Sequence, residues 1–332
     1  MNKNFTHRHA AHCETGTMSN LLRNRGVDLS EPMMFGIGSG LFFVYIPFIK
    51  MGGIPLIAYR SAPGNIIKNV CSRLSINMKI MRFRNPERGM AELDRLIEQG
   101  TPVGLQTSAY WLPYFPREMR FQFNAHNLVV FGKEKDNYLI SDPVGEHTVT
   151  CAYDDLSRAR FAKGLFAPKG MLYYPDHIPA LLDIKEAVKK GIHDTCHKML
   201  KIPLPFLGVR GIHYLANQME RWPVKLGPEK AATYVGTVIR MQEEIGTGGA
   251  GFRFMYAAFL QEASDLLKLP ALLDIAKLLS DSGDRMREFA VRGVQLCKGR
   301  ETGQQIYSEL AGSIRECAER EKHIFSLLRK AL

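Results

Sequence analysis

The sequence AHCETGTMSNLL, residues 11–22, places a cysteine where a helix is expected to begin. Met18, Leu21 and Leu22 are spaced at i, i+3 and i+4, which predicts a single apolar helical stripe. The unpaired N–H groups and the positive dipole end of a helix start favour a thiolate, the form of cysteine that attacks carbonyl groups. The stretch therefore makes Cys13 a candidate nucleophile.

Length and composition bound the class of protein. The chain has 332 residues, of which 45% are hydrophobic and 23% charged, and we expect two domains at residues 1–178 and 179–332. No run of 18 apolar residues could span a bilayer, and the first residues lack the apolar core of a signal peptide. We therefore expect a cytoplasmic protein with no membrane span.

The formal net charge of +11 is spread over both halves of the chain. Because no basic tail and no module of aromatic and basic residues accompanies it, we expect no nucleic-acid partner. A diffuse positive surface is suited to an acidic macromolecule, which it attracts by long-range steering.

The six cysteines show neither the spacing of a disulfide framework nor that of a cysteine-rich zinc site. Five are interpreted as small buried hydrophobes: Cys71, Cys151, Cys196, Cys297 and Cys317. His7, His9 and His12 leave open a metal cluster beside Cys13, but the plainer interpretation is a solvated arm. We expect no metal and no cofactor.

Gly36, Gly38 and Gly40 imitate a phosphate-binding loop. A dinucleotide fingerprint also needs a preceding strand, a following helix and an acidic residue about 20 positions on. Since the run at 42–44 looks like a strand, we predict a tight glycine turn that packs beside the Cys13 helix.

A β-hairpin is predicted where two apolar runs flank the polar turn KEKDN at residues 133–137. If Gly132 pairs with Tyr138, Asp142 lies diagonal to His126 on the same face, about 7 to 8 Å away at Cα. A slip of one residue would point the two side chains to opposite faces.

A helix-start Cys13, a strand-start His126 and the acid Asp142 in the adjacent strand follow the order of parts in papain-like cysteine enzymes. In these roles His126 is the general base and acid, and Asp142 fixes its tautomer and orientation. The aromatic loop at 110–114 is interpreted either as the lining of a substrate channel or as a lid over the core.

Several stretches carry a resemblance to known families. His12–Gly16, Leu112–Tyr114, Ala125–Gly132 and Ser141–Pro143 resemble the N-terminal domain family of the butirosin biosynthesis protein H. Residues 246–253 and 256–263 resemble the helical domain of unknown function that usually accompanies it. The resemblance implies an α+β fold, with a papain-like cysteine-enzyme domain, in which a helix packs on an antiparallel sheet, followed by an all-α domain.

That family resembles the cysteine peptidases that trim double-glycine leader peptides, and its named member is an acyltransferase. The resemblance implies transfer of an acyl or aminoacyl group from an acyl carrier protein thioester, held on phosphopantetheine, to a small amine in secondary-metabolite biosynthesis. It assigns the nucleophile to Cys13, the base to His126 and the orienting acid to Asp142. Two other function classes stay open, a cysteine peptidase or amidase and a non-catalytic binding protein. Assembly into a homo-oligomer also stays open.

One departure from the papain-like pattern concerns the oxyanion hole. Those enzymes usually place a glutamine six residues before the nucleophile, and His7 stands at that position. Gln106, at the end of a predicted strand, is the substitute candidate, and Tyr110, Tyr114 and Glu14 are further candidates for oxyanion or substrate contacts.

The second half has helical periodicity throughout. We predict helices at 179–199, 212–222, 229–245, 251–268, 270–280, 284–297 and 302–330. The glycine turn at 246–249 is interpreted either as an anion site at a helix start or, more commonly, as a point of close helix packing.

Overall fold

The computed structural model describes residues 5–51, 53–121 and 123–332. They form two compact units, which we name the sheet unit (residues 5–34 and 66–182) and the helical unit (residues 35–65 and 183–332). The units differ from the expected domains chiefly because residues 35–65 pack with the second half of the chain. No helix among the described residues is both long and apolar enough to cross a membrane.

The α-helices of the described residues are numbered in chain order: α1 (Cys13–Arg23), α2 (Glu31–Ile37), α3 (Asn65–Arg73), α4 (Pro86–Glu98), α5 (Tyr153–Arg160), α6 (Ile184–Leu200), α7 (Gly208–Met219), α8 (Trp222–Leu226), α9 (Pro228–Glu243), α10 (Arg253–Leu267), α11 (Ala271–Cys297) and α12 (Gln304–Lys330). The strands are β1 (Leu41–Met51), β2 (Ile54–Arg60), β3 (Asn77–Met81), β4 (Val103–Thr107), β5 (His126–Glu134), β6 (Asn137–Ser141), β7 (Val149–Ala152) and β8 (Leu172–His177).

The sheet unit contains an antiparallel sheet in the order β3-β8-β4-β5-β6-β7. Helix α1 packs on β4, β5 and β8 and is buried along almost its whole length, from Cys13 to Leu22. Leu93 and Leu156, from α4 and α5, share an apolar core with Val130 of β5. The expected α+β class, with a helix on an antiparallel sheet and a helical second half, is confirmed.

The register of the hairpin β5–β6 decides where the acid after β6 lies. Near the turn the assumed pairing is wrong by one residue, because Gly132 pairs with Leu139 rather than with Tyr138. A β-bulge at Phe131 then takes up one residue of β5.

Beyond the bulge, Val129 pairs with Ser141, which is the register that the sequence predicts for this end of the hairpin. Asp142 follows Ser141 directly and therefore comes beside His126, the first residue of β5. The sequence pattern did not predict the bulge, but the predicted proximity of Asp142 and His126 is retained.

In the helical unit, β1 and β2 form a hairpin that packs on α7 and α9. The strand predicted at 42–44 is part of β1. The preceding glycine turn joins α2 to β1 and is no phosphate loop. Gly36 lies against the ring of Phe259 in α10, so this glycine provides close packing within the helical unit.

The prediction of two helices at 270–280 and 284–297 is wrong, because α11 runs without a break through Gly283. A Cβ at this position would lie 2.8 Å from the Phe254 ring, so the glycine permits a close approach and does not end the helix. The first helix of this half begins at Ile184, where Asp183 caps it by accepting a hydrogen bond from the Glu186 N–H.

The glycine turn at 246–249 is satisfied from within the chain. The N–H of Ala250 donates to the Glu243 carboxylate at 3.1 Å, and the N–H of Gly249 donates to the Thr247 hydroxyl at 3.0 Å. Because a carboxylate of the protein already occupies this position, the turn is a point of close packing.

Candidate active site

Cys13 is the first residue of α1, and the residue is 7% exposed. His12 caps the helix, since its Nδ1 accepts the N–H of Thr15 at 3.4 Å. The Cys13 Sγ lies 4.0 Å from the carbonyl oxygen of Ala125, which immediately precedes His126. The helix start thereby brings the thiol to the beginning of β5.

Glu31 holds the backbone just before the candidate nucleophile. Its carboxylate accepts hydrogen bonds from the N–H groups of Ala11 at 3.0 Å and His12 at 2.8 Å, and from the Thr15 hydroxyl at 3.0 Å. Burial raises the pKa of Glu31, and these hydrogen bonds oppose the rise. Sequence reasoning missed this residue, because nothing in its own stretch indicates a contact 19 residues away.

His126 and Asp142 form the best-defined contact of the site. The imidazole Nε2 lies 2.7 Å from Asp142 Oδ2, and the two residues are 5% and 1% exposed. Asp142 Oδ1 accepts the N–H of Val144 at 3.2 Å. Since Nε2 is used by Asp142, Nδ1 is the ring nitrogen left to interact with Cys13.

The electrostatics of His126 reflect both neighbours. Burial lowers its pKa, but the Asp142 carboxylate and then Cys13 favour the protonated ring and raise the pKa above the ordinary value of 6.5. The structure therefore brings Cys13, His126 and Asp142 together, with the histidine interacting with both. Their catalytic roles stay predictions.

Tyr114 contacts the same carboxylate oxygen as His126. Its hydroxyl donates to Asp142 Oδ2 at 2.8 Å. Burial, followed by the charge of Asp142, raises the pKa of Tyr114 well above the ordinary value, so the phenol stays a donor. Tyr114 thus helps to hold Asp142, and its contact with substrate stays a prediction.

Two other candidates are occupied elsewhere. Glu14 is buried, and its Oε1 accepts the N–H groups of Ile66 and Ile67 at 3.1 and 3.2 Å, so that it caps α3. Gln106 donates from Nε2 to the carbonyl oxygens of Asn124 and Phe166 at 2.9 and 3.0 Å. Since an amide nitrogen has two hydrogens, Gln106 keeps none for an oxyanion.

His7, at the position of the oxyanion glutamine, bridges the turn after β6. Its Nε2 lies 3.1 Å from the Gly145 carbonyl oxygen and must donate to it, so its Nδ1 accepts the Ser141 hydroxyl at 2.7 Å. Among the described residues, no cluster of three or more His, Cys, Asp or Glu side chains is arranged to hold a metal ion.

Of the remaining candidates, Tyr110 is 45% exposed and lies beside a surface cavity with Trp111.

Five cysteines were expected to be buried. Four of them are buried, namely Cys71, Cys151, Cys196 and Cys317, but Cys297 is exposed.

The chain is similar to solved structures, among them a peptidase. A crystal structure described as a C39-like peptidase from Bacillus anthracis is 14% identical, covers 53% of this chain and 96% of its own, and has a TM-score of 0.36. A likeness at this level does not define the arrangement of a site. No match is found among curated proteins.

Two family descriptions match successive parts of the chain. Residues 12–143 match "Butirosin biosynthesis protein H, N-terminal", which includes Cys13, His126 and Asp142. Residues 154–328 match "Domain of unknown function (DUF4872)", and this match spans more than half of the chain. The protein thus belongs to the DUF4872 family, and in it that domain follows a region that matches the N-terminal domain of butirosin biosynthesis protein H.

Proposed function

We propose that the protein is a cysteine acyltransferase of the papain-like type, with Cys13 as nucleophile, His126 as general base and acid, and Asp142 as the orienting acid. The observation that carries the proposal is the buried His126 ring, which contacts Asp142 at 2.7 Å and interacts with Cys13 at the start of α1. A nucleophile, a base and a group that orients the base are the parts that covalent acyl transfer requires.

In the first half-reaction the Cys13 thiolate attacks the carbonyl carbon of an acyl thioester. The bond between that carbon and the donor sulfur then breaks, and protonated His126 gives its proton to the departing thiol. The products are an acyl-Cys13 thioester and a free thiol. Because one thioester replaces another, the step is nearly balanced in energy.

In the second half-reaction an amine attacks the acyl-Cys13 carbonyl. His126 takes a proton from the attacking nitrogen, the bond to Cys13 Sγ breaks, and an amide is released while the thiolate is restored beside a protonated His126. Forming an amide from a thioester is downhill, so the cycle needs no ATP.

The helix start supplies a donor for the oxyanion of both intermediates. Among the described residues no acceptor is recorded for the Cys13 N–H, whereas the preceding N–H groups of Ala11 and His12 bind Glu31. Backbone N–H groups at a helix start are suited to a developing negative charge. With Gln106 and His7 engaged elsewhere, we assign the oxyanion to the Cys13 N–H.

The choice of donor and acceptor rests on the match to the N-terminal domain of butirosin biosynthesis protein H. The resemblance to that family implies an acyl carrier protein thioester as donor and a small amine as acceptor. The net charge of +11 suits an acidic carrier. A peptidase or amidase would use the same three residues. Exclusion of water from the acyl-enzyme separates a transferase from a hydrolase, and the burial of Cys13 and His126 favours the transferase.

The test is intact mass spectrometry after mixing the protein with acyl-pantetheine thioesters. We expect one acyl adduct that peptide mapping places on Cys13 and that is absent from Cys13→Ala. Adding a small amine should discharge the adduct faster than water alone. An adduct in Cys13→Ala, or none in the wild type with any thioester, would exclude the covalent route. Discharge by water at the same rate as by amines would contradict the transferase and favour a hydrolase that uses the same three residues.

A further inference from the structure

The sheet unit has a surface cavity of about 420 Å³ that the proposed chemistry does not use. Its walls come from the loop at 110–120 and from α5. We name it the arginine cavity after Arg117, Arg120 and Arg158, which line it together with Tyr110, Trp111 and Asp155.

The charge of the arginine cavity favours an anion. Its lining contains three arginines and a single acidic residue, Asp155. The pairing of this carboxylate with Arg158 is loose, at 4.0 Å, and the Arg158 side chain is 61% exposed. No ion pair to Arg117 is recorded among the described residues. Guanidinium groups with free N–H donors match the oxygens of a phosphate group.

The aromatic rings add an apolar surface to the same cavity. Tyr110 and Trp111 are 45% and 40% exposed and pack edge to face with ring centroids 5.1 Å apart. The Arg158 guanidinium carbon lies 5.9 Å from the centre of the Trp111 ring. Two large exposed rings beside arginines suit a ligand in which an apolar or amide-rich chain adjoins a phosphate.

The loop that lines the cavity also contacts two residues of the candidate active site. Arg120 donates to the carbonyl oxygens of Phe115, at 2.7 Å, and Pro113, and so fixes the segment between them. Within that segment Tyr114 donates to Asp142, and the Phe115 ring packs edge to face on His126 with centroids 5.2 Å apart. A ligand anchored by its phosphate would extend from here along a wall that contacts the catalytic groups.

We propose that the arginine cavity binds the phosphate of a phosphopantetheine arm, while Tyr110 and Trp111 contact the pantetheine chain. This inference rests on the proposed function, because it concerns the donor of the acyl group. The same phosphate is a diester to serine in a carrier protein and part of a diphosphate in coenzyme A, so both donors share the chemistry that the cavity recognises.

The test measures binding in the Cys13→Ala background, which removes acylation from the experiment. Calorimetry compares 4′-phosphopantetheine with pantetheine, which lacks the phosphate. We expect the phosphorylated probe to bind about tenfold more tightly or better, because guanidinium groups form charge-assisted hydrogen bonds with phosphate oxygens. The double substitution Arg117→Gln and Arg158→Gln should abolish this preference. Arg120 is left intact because it holds the loop.

The matched control is the double substitution Arg84→Gln and Arg88→Gln, which removes the same charge from exposed positions of the sheet unit. It should keep the preference for the phosphorylated probe. Equal binding of the two probes, or a preference that survives in the cavity variant, would overturn the inference. Neither result bears on acylation of Cys13 by neutral acyl-pantetheine, so a failure here is distinct from a failure of the proposed function.

A second pair of probes identifies the source of the phosphate. A holo acyl carrier protein and coenzyme A are titrated into the Cys13→Ala protein and into the same protein with the cavity substitutions. Weaker binding of either probe to the cavity variant supports the site and identifies that probe as a source. Unchanged binding of both would contradict it.

Discussion

At the scale of single residues, the candidate site depends on one carboxylate oxygen. Asp142 Oδ2 lies within hydrogen-bond distance of both His126 Nε2 and the Tyr114 hydroxyl, and Oδ1 accepts a backbone N–H. A buried carboxylate is costly unless such donors surround it. The arrangement fixes the orientation of the imidazole and leaves Nδ1 for the thiol.

The pKa of His126 should reveal the influence of Asp142. Burial lowers this pKa and Asp142 raises it, so the wild-type ring should titrate above the ordinary 6.5. In Asp142→Asn the charge that raises the pKa is removed and burial remains, so the pKa should fall. NMR titration of the His126 imidazole checks both values. A wild-type pKa at or below 6.5, or one that does not fall in the variant, would contradict the pairing.

The same shift has a consequence for stability. The folded state holds the His126 proton more tightly than the unfolded chain does, so protonated His126 adds to the free energy of unfolding. This stabilisation is complete below pH 6.5 and is lost as the pH rises through the raised pKa. The advantage of the wild type over His126→Gln in free energy of unfolding should therefore shrink on raising the pH from 6.5.

Removing the Tyr114 hydroxyl should weaken the support of Asp142. Tyr114→Phe deletes a buried hydrogen bond to a charged group, which should cost about 1.5 to 3 kcal/mol of stability. Urea unfolding measures the loss. Tyr174→Phe is the matched control, since no hydrogen bond from its hydroxyl is recorded among the described residues, and it should change little. Equal effects of the two substitutions would show that the Tyr114 contact is unimportant.

The sequence was most informative about residues whose role depends on their own local element. Cys13 at a helix start, and His126 and Asp142 in adjacent strands, could be predicted because helix signals and hairpin pairing are local. The contacts of Glu31 with residues 11 and 12, and of Tyr114 with Asp142, could not be predicted, because each joins segments that are distant in the chain. Gln106 was predicted as an oxyanion donor because its position in a strand does not reveal that both amide hydrogens bind backbone carbonyls.

At the scale of elements, the sheet unit shows where pattern reading fails. β8 lies between β3 and β4 in the sheet, yet Pro175 interrupts its sequence, and a proline normally argues against such a strand. In α11 two helices were predicted, but one continuous helix forms, and Gly283 within it permits close packing against Phe254. In both cases tertiary packing overrides the local preference.

The buried pair of Arg253 and Glu321 joins α10 to α12 by two hydrogen bonds of 2.8 Å. Glu321→Gln would leave a buried guanidinium without its counter-charge and should cost about 3 to 5 kcal/mol in chemical unfolding. Replacing the two together by Met and Leu should cost much less. The exposed pair Arg285–Glu288 is the control, and Glu288→Gln should have no measurable effect. If the double variant were as unstable as the single, the ionic explanation would be wrong.

At the scale of the whole molecule, residues 35–65 leave the sheet unit to join the helical unit, and then the chain returns. Chain length alone predicts two domains that are each continuous in sequence. It does not predict that residues 35–65 join the second unit, because this depends on the apolar surface on which the β1–β2 hairpin packs. The catalytic residues proposed here all belong to the sheet unit. Their arrangement therefore depends on that unit, in which α1 and the sheet pack together.

The six thiols of the molecule offer the most direct test of the central claim, that His126 and Asp142 activate Cys13. Burial raises the pKa of Cys71, Cys151, Cys196 and Cys317 to about 12 and also raises that of the exposed Cys297. Exposure alone would make Cys297 the most reactive thiol, because Cys13 is 7% exposed.

The measurement is the alkylation rate of each thiol by iodoacetamide at neutral pH, followed by peptide mapping. The account predicts that Cys13 is alkylated faster than the other five thiols in the wild type, and that it is no longer the fastest in Asp142→Asn. Faster alkylation of Cys297 than of Cys13 in the wild type would contradict it.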